Sequence, residues 1–129
     1  MTPSIEINGR QIGSDHPVYV IAELSANHHQ NFDHAVQLVR AAKDAGSDAV
    51  KLQTYTADTL TIQSDQPCFR IGGGTIWDGE TLYDLYAKAY TPWDWQPKLK
   101  ELATSPLRPI TFQRVALSPF EQHPAEAGC

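Results

Sequence analysis

Residues 18 to 53 of this chain read as strand, amphipathic helix and strand, and that succession admits few folds. Val18-Tyr19-Val20-Ile21-Ala22-Glu23-Leu24-Ser25 starts apolar and β-branched and turns polar at its end. Side chains alternate faces along a strand, so Val18, Val20, Ala22 and Leu24 share one side while Tyr19, Ile21, Glu23 and Ser25 share the other. A helix is predicted over 32–45, with Phe32, Ala35, Val36, Val39 and Ala42 on one stripe. Asn31 or Asp33 is its expected cap, and Asp44 and Gly46 mark its end. A strand over 48–53 repeats the first pattern: Val50 and Leu52 face one way, Ala49, Lys51 and Gln53 the other. A βαβ unit demands parallel pairing and a right-handed crossover. Glu23, Ser25, Lys51 and Gln53 should therefore converge on one face, near the strand ends where α/β folds place their chemistry.

The flanking sequence is less regular. Ile5 to Ile12 reads as a short hairpin about Asn8-Gly9. Residues 54–79 form a long irregular stretch containing Gly72-Gly73-Gly74, which is expected to be a flexible lid; the triplet lacks the Lys-Ser/Thr that would make it a phosphate cradle. A helix over 80–89 places Leu82, Leu85, Tyr86 and Ala89 on one face. Thr91-Pro92-Trp93-Asp94 looks like a second helix start with Thr91 as its cap, and Pro97 either kinks that helix or marks its true beginning. Residues 110–117 can form a strand. From 104 onward Pro106, Pro109, Pro119 and Pro124 crowd the chain and periodicity fades.

Composition narrows the possible partners. The 129 residues, 41% of them apolar, suit one domain with a modest core. A net charge of −5 with no basic patch argues against nucleic acid. No window reaches membrane-spanning length and no secretory leader follows Met1, so a cytoplasmic location without membrane contact is expected. Cys68 and Cys129 have no metal-ligand spacing and make no disulfide framework, and Cys68 has no visible activating base.

Three readings of Lys51 beside Glu23 compete. The two form an ordinary buried ion pair, which is costly and rarely favoured over apolar packing. Alternatively Lys51 holds a phosphate or carboxylate as a point charge while Glu23 handles a hydroxyl or proton. In the third, Lys51 forms an imine, which requires a neutral amine that a neighbouring carboxylate opposes. His28 and His29 are adjacent and point apart, so one histidine facing the site is expected rather than two metal ligands. His16, His34 and His123 read as surface residues. Trp93 and Trp95 are more readily core or interface than a ligand platform.

Ala22-Glu23-Leu24-Ser25-Ala26-Asn27-His28, Asp48-Ala49-Val50-Lys51-Leu52-Gln53-Thr54-Tyr55 and Gly74-Thr75-Ile76-Trp77-Asp78-Gly79 together resemble the sialic acid synthase family. The wording of the first and third, with Thr91-Pro92-Trp93, resembles its pseudaminic acid branch most. The likeness covers about residues 3 to 103. It implies the N-terminal part of an α/β TIM barrel, incomplete here and preceded by the hairpin, in an enzyme that condenses phosphoenolpyruvate with a 2,4-diacetamido-2,4,6-trideoxy hexose. N-acetylneuraminate and legionaminate synthases are the alternatives within the family. By resemblance Lys51 binds phosphoenolpyruvate, Glu23 and Gln53 contact the sugar, and Glu23 steers a proton or water. Ser25, Asn27 and His28 belong to the same substrate-binding group. The family also implies a homodimer and a divalent metal, Mn2+ or Mg2+, whose histidine ligands stand on later strands than this chain supplies.

Residues 1–103 are accordingly expected to be barrel and 104–129 an aberrant tail, such as a frameshift would produce. On that expectation the chain alone is inactive or nearly so. A reading of another class makes it a non-catalytic fragment that binds sugar or pairs with a larger subunit through its open sheet edge.

Overall fold

The computed structural model describes residues 3–116; the expectations for residues 117–129, including His123, Cys129 and the second half of the proline-rich stretch, lie outside them. Two short strands, β1 (Ser4–Ile7) and β2 (Arg10–Gly13), pair antiparallel about Asn8 and Gly9, both with positive φ as a tight turn of this kind requires. Three further strands, β3 (Ile21–Ser25), β4 (Ala49–Thr54) and β5 (Thr111–Ala116), form a parallel sheet in that order. The helix α1 (Phe32–Asp44) crosses from β3 to β4. A longer excursion crosses from β4 to β5 through α2 (Ala57–Leu60), α3 (Leu82–Lys88) and α4 (Gln96–Thr104).

The predicted faces explain this arrangement. Asn31 caps α1 by accepting the His34 backbone N–H at 2.9 Å, and Gly46 (φ 84°) turns the chain out of the helix. Ala35, Val39 and Ala42 on α1 and Leu99 and Ala103 on α4 pack against Leu24, Val50, Leu52 and Ile110. Both crossing helices thus cover one face of the sheet, leaving Glu23, Lys51 and Gln53 on the other. Lys43, itself buried, donates to the Leu102 carbonyl and the Ser105 hydroxyl, both at 2.7 Å, and so ties the end of α1 to the last carbonyls of α4.

Three details differ from the sequence reading. The first strand begins at Ile21 rather than Val18, because the Val18 carbonyl accepts from Arg10 and the Val20 N–H donates to the Asp48 carboxylate instead of to a neighbouring strand. Val18 and Val20 are exposed as a result. Arg10 also pairs with Asp48, which fastens the β1–β2 hairpin to the N-terminal end of the sheet. Thr91 does not cap a helix: Trp93–Trp95 is a single 3-10 turn, and α4 starts at Gln96 with Pro97 in its first turn, so Pro97 marks the true beginning. The Gly72-Gly73-Gly74 stretch is not a loose lid. Ile71 and Glu80 pair through their backbones, Arg70 bridges to Thr81, and the Asp78 carboxylate accepts from the Gly74 and Thr75 N–H groups at 2.9 Å each.

Those bonds favour the charged form of Asp78, so its carboxyl lies below the ordinary value of 3.8. A depressed carboxylate contributes order that is present above its unfolded pKa and lost as pH falls through the lower folded value. Asp78→Asn should therefore raise amide exchange at Gly74 and Thr75 at neutral pH. The wild-type loop should approach that behaviour only below about pH 3.8. Unchanged exchange in the variant would show that the glycines are held by something else.

Candidate functional site

Parallel pairing puts Glu23 directly beside Lys51, as the strand pattern requires. The Lys51 ammonium lies 2.5 Å from a Glu23 carboxylate oxygen, with the side chains 34% and 38% exposed. Such exposure removes the buried-pair reading: the two charges meet on an open face within reach of a ligand. One residue later β3 bulges, and its register against β4 shifts between Glu23 and Ser25. Ser25 takes a left-handed backbone (φ 47°), and its N–H and hydroxyl donate to the other Glu23 oxygen at 3.3 and 3.2 Å. The carboxylate thus sustains a backbone conformation that costs free energy in a non-glycine residue. Simple alternation misses this bulge, yet Ser25 still reaches Glu23.

Beyond the bulge lies a cavity of about 470 Å³ at the C-terminal ends of β3 and β4. Its lining includes Ser25, Asn27 and Gln53 from the strand ends together with Tyr55, Trp77, Leu85 and Tyr86. Ser25 is the link between the ion pair and this space. The aromatic residues were not singled out as site residues, although Trp77 stands in a glycine-rich turn and Tyr86 on the apolar stripe of α3. That stripe covers the cavity rather than the core, and no residue of α3 is buried.

His28 requires a correction. Its ring is completely buried, not directed at the site. The Gln30 N–H donates to Nδ1 at 3.1 Å, so Nε2 carries the proton and donates to the Thr91 hydroxyl at 3.1 Å. Thr91 in turn donates to the Ser25 carbonyl at 3.4 Å, and its N–H donates to the Gln53 carbonyl at 2.7 Å. The ring also packs edge-on against Trp95, 5.1 Å between centroids, which places that tryptophan at the core margin as expected. His28 is therefore a clamp that fixes where Ser25 and Gln53 end. The neighbouring His29 is the histidine that lines the cavity. His34 is half-buried and stacks on His29, so it is not a plain surface residue.

Burial, with smaller contributions from His29 and His34, holds the His28 pKa below 6.5. For a base with a lowered folded pKa, the unfolded chain binds more protons between the two values, so stability falls as pH drops below 6.5. Melting temperatures measured from pH 7.5 down to 5 should show this loss in the wild type and a flatter profile in His28→Gln. Parallel profiles would assign the acid sensitivity to other groups.

Among the described residues, no three His, Cys, Asp or Glu side chains gather as a metal ion would need, so no ligand set for one is complete there. No described helix is long and apolar enough to cross a membrane. Cys68 is not a free thiol.

Comparison with known proteins gives the site its context. The chain is 49% identical over 96 residues to the pseudaminic acid synthase of Campylobacter jejuni subsp. jejuni, a match spanning 72% of this chain and 28% of that enzyme. It is likewise 49% identical over 87 residues to the pseudaminic acid synthase of Helicobacter pylori, covering 67% of this chain and 25% of the relative. In three dimensions it resembles the N-acetylneuraminic acid synthetase of Leptospira borgpetersenii serovar Hardjo-bovis, with a TM-score of 0.70 at 22% identity over 92% of this chain and 35% of that one. That likeness shows the fold, a TIM-barrel-type α/β architecture of which the described strands and helices form part. The NeuB family model matches residues 38–120, from the middle of α1 to beyond β5. A strand pair that sets Lys51 against Glu23, the order of motifs around it and this match agree: the chain belongs to the NeuB family.

Proposed function

We propose that this chain carries the phosphoenolpyruvate-binding and sugar-facing strands of a nonulosonic acid synthase of the pseudaminic branch. Its complete reaction joins phosphoenolpyruvate to a 2,4-diacetamido-2,4,6-trideoxy hexose: the enol carbon bonds to the sugar aldehyde, water adds to the resulting cation, and C–O cleavage releases phosphate. The observation that carries this reading is the half-exposed Lys51–Glu23 pair in register on adjacent parallel strands, beside a polar-edged cavity. Lys51 is the anion-binding group. Phosphate displaces the Glu23 carboxylate from the ammonium, which leaves Glu23 available to orient the water or move a proton. Gln53, Ser25 and Asn27 contact the sugar. The pseudaminic branch is preferred to its sialic and legionaminic relatives because pseudaminic acid synthases match at 49% identity over most of the chain.

The chain spans 28% of the Campylobacter enzyme's length. In this reading the later strands of the barrel, the metal ligands and the dimer contacts come from sequence outside the match. Residues 1–103 serve as the barrel's opening units in this reading; β5 carries the sheet on over Thr111–Ala116 and the family match runs to residue 120, so a divergent tail is proposed only for the residues after it. A cytoplasmic location suits soluble phosphorylated substrates. The test is phosphate release by the purified chain from phosphoenolpyruvate, sugar and Mn2+, run beside calorimetric titration with phosphoenolpyruvate alone. Binding without turnover is the expected result. Absence of phosphoenolpyruvate binding would refute the assignment, and a borohydride-trapped lysine adduct with substrate would replace it with an imine-forming aldolase.

A further inference from the structure

The helix α3 has seven residues, and none of them is buried. A helix that short is marginal by itself, so its place beside the cavity depends on what holds its ends. Thr81 caps the start by accepting the Asp84 N–H at 3.1 Å. The other end lacks the left-handed residue that commonly closes a helix, since Ala89 has φ −102° and ψ 58°. Its carbonyls are taken by other segments instead. The Gln30 side-chain amide donates to the Lys88 and Tyr90 carbonyls at 2.9 and 2.5 Å, and the Tyr55 hydroxyl donates to the Ala89 carbonyl between them. Burial and the nearby Tyr86 push the Tyr55 pKa up to about 12, so that donor keeps its proton.

Gln30 reaches this position at a cost. It and His29 are both left-handed, with φ 57° and 50°, a conformation that non-glycine residues hold only where neighbouring bonds compensate. The Gln30 N–H, bonded to His28 Nδ1 at 3.1 Å, and the side-chain amide supply that compensation. Gln30 is exposed and outside the core cluster, so core packing does not account for the conformation. The grip on α3 does: Leu85 and Tyr86 line the cavity with Ser25 and Gln53 only while the helix exit is held.

We infer that Gln30 is a positioning residue: its amide fixes the exit of α3 and so keeps Leu85 and Tyr86 at the cavity where the sugar is seated. The inference rests on the function proposed above, and it separates the two ligands. A sugar in the cavity depends on Gln30, whereas an anion on Lys51 does not.

The test compares two variants of the 129-residue chain. Gln30→Glu keeps the length of the side chain but presents an oxygen where the donor stood. Gln30→Gly removes the amide and accepts the left-handed backbone without strain. In Gln30→Glu the amides of Leu85 and Ala89 should exchange about 10-fold faster, while those of Val39, Val50 and Leu99 keep their wild-type rates. Gln30→Gly should show the same acceleration; if the backbone conformation rather than the amide held α3, glycine would leave the rates unchanged. Calorimetry should find the 2,4-diacetamido-2,4,6-trideoxy hexose bound about 10-fold more weakly by both variants. Phosphoenolpyruvate affinity should change by no more than about twofold, since Lys51 shares no partner with Gln30. Wild-type exchange rates in both variants overturn the inference, as does a sugar affinity that neither variant lowers or that the wild-type chain lacks. Failure of the wild-type chain to bind phosphoenolpyruvate would instead refute the proposed function, with the exchange rates still deciding whether Gln30 holds α3.

Discussion

If the proposed function holds, Lys51→Met should lower phosphoenolpyruvate affinity by about 100-fold or more, because it would remove one or two charge-assisted hydrogen bonds of about 1.5–3 kcal/mol each. The variant also leaves the Glu23 carboxylate, 2.5 Å from the ammonium in the wild type, without its partner and facing an incoming anion. Both effects act in one direction. Glu23→Gln acts in the other: with no carboxylate to displace, Lys51 should bind phosphoenolpyruvate several-fold more tightly, about 1 kcal/mol for a half-exposed pair. Lys51→Arg keeps the charge but replaces a compact ammonium with a larger planar fork, and should recover part of the affinity. Calorimetric titration of the three variants yields a signed pattern that a merely structural ion pair would not produce. Equal affinity in wild type and Lys51→Met would remove Lys51 from the site.

Leu99→Ala costs about 2–5 kcal/mol of folding stability, the range for truncating a fully buried leucine. Leu99 has no exposed surface and stands on α4 among Val39, Val50 and Leu52, where α1, α4 and the sheet meet. Its neighbours Ala35 and Ala103 are already small and nearly or completely buried, so little is available to collapse into the gap. A small domain has about 5–15 kcal/mol in total, and the loss would consume a large share of it. Leu99→Ile keeps the volume and should cost under about 1.5 kcal/mol. Urea unfolding of both variants measures the difference. A loss below 1 kcal/mol in Leu99→Ala would mean that α4 is not packed as a core helix.

The strand patterns made the site legible because alternation and parallel pairing are strict rules. Once Val50 and Leu52 are assigned inward, Lys51 and Gln53 have only one other face to occupy, and Glu23 must meet them. The helix stripe of α1 was legible for the same reason, and so was its Asn31 cap. What escaped were features decided by side chains distant in sequence. The fate of His28 depends on Thr91 and Trp95, 63 residues away in the case of the threonine. Thr91 reads locally as a helix cap, but its hydroxyl is drawn to His28 and Ser25 instead. The Ser25 bulge left no mark either, since serine is not a residue that announces a left-handed backbone. Trp77 stood in a motif shared with the family and Tyr86 on an apolar stripe, but nothing local tells a cavity lining from a core stripe.

The two carbonyls that receive the Gln30 amide belong to the main chain of Lys88 and Tyr90. A main-chain acceptor is indifferent to which residue bears it. The exit of α3 can thus accumulate substitutions over evolutionary time while the loop after β3 keeps its pose, provided the glutamine itself persists. Relatives with divergent residues at those two positions should superpose there as closely as conserved ones.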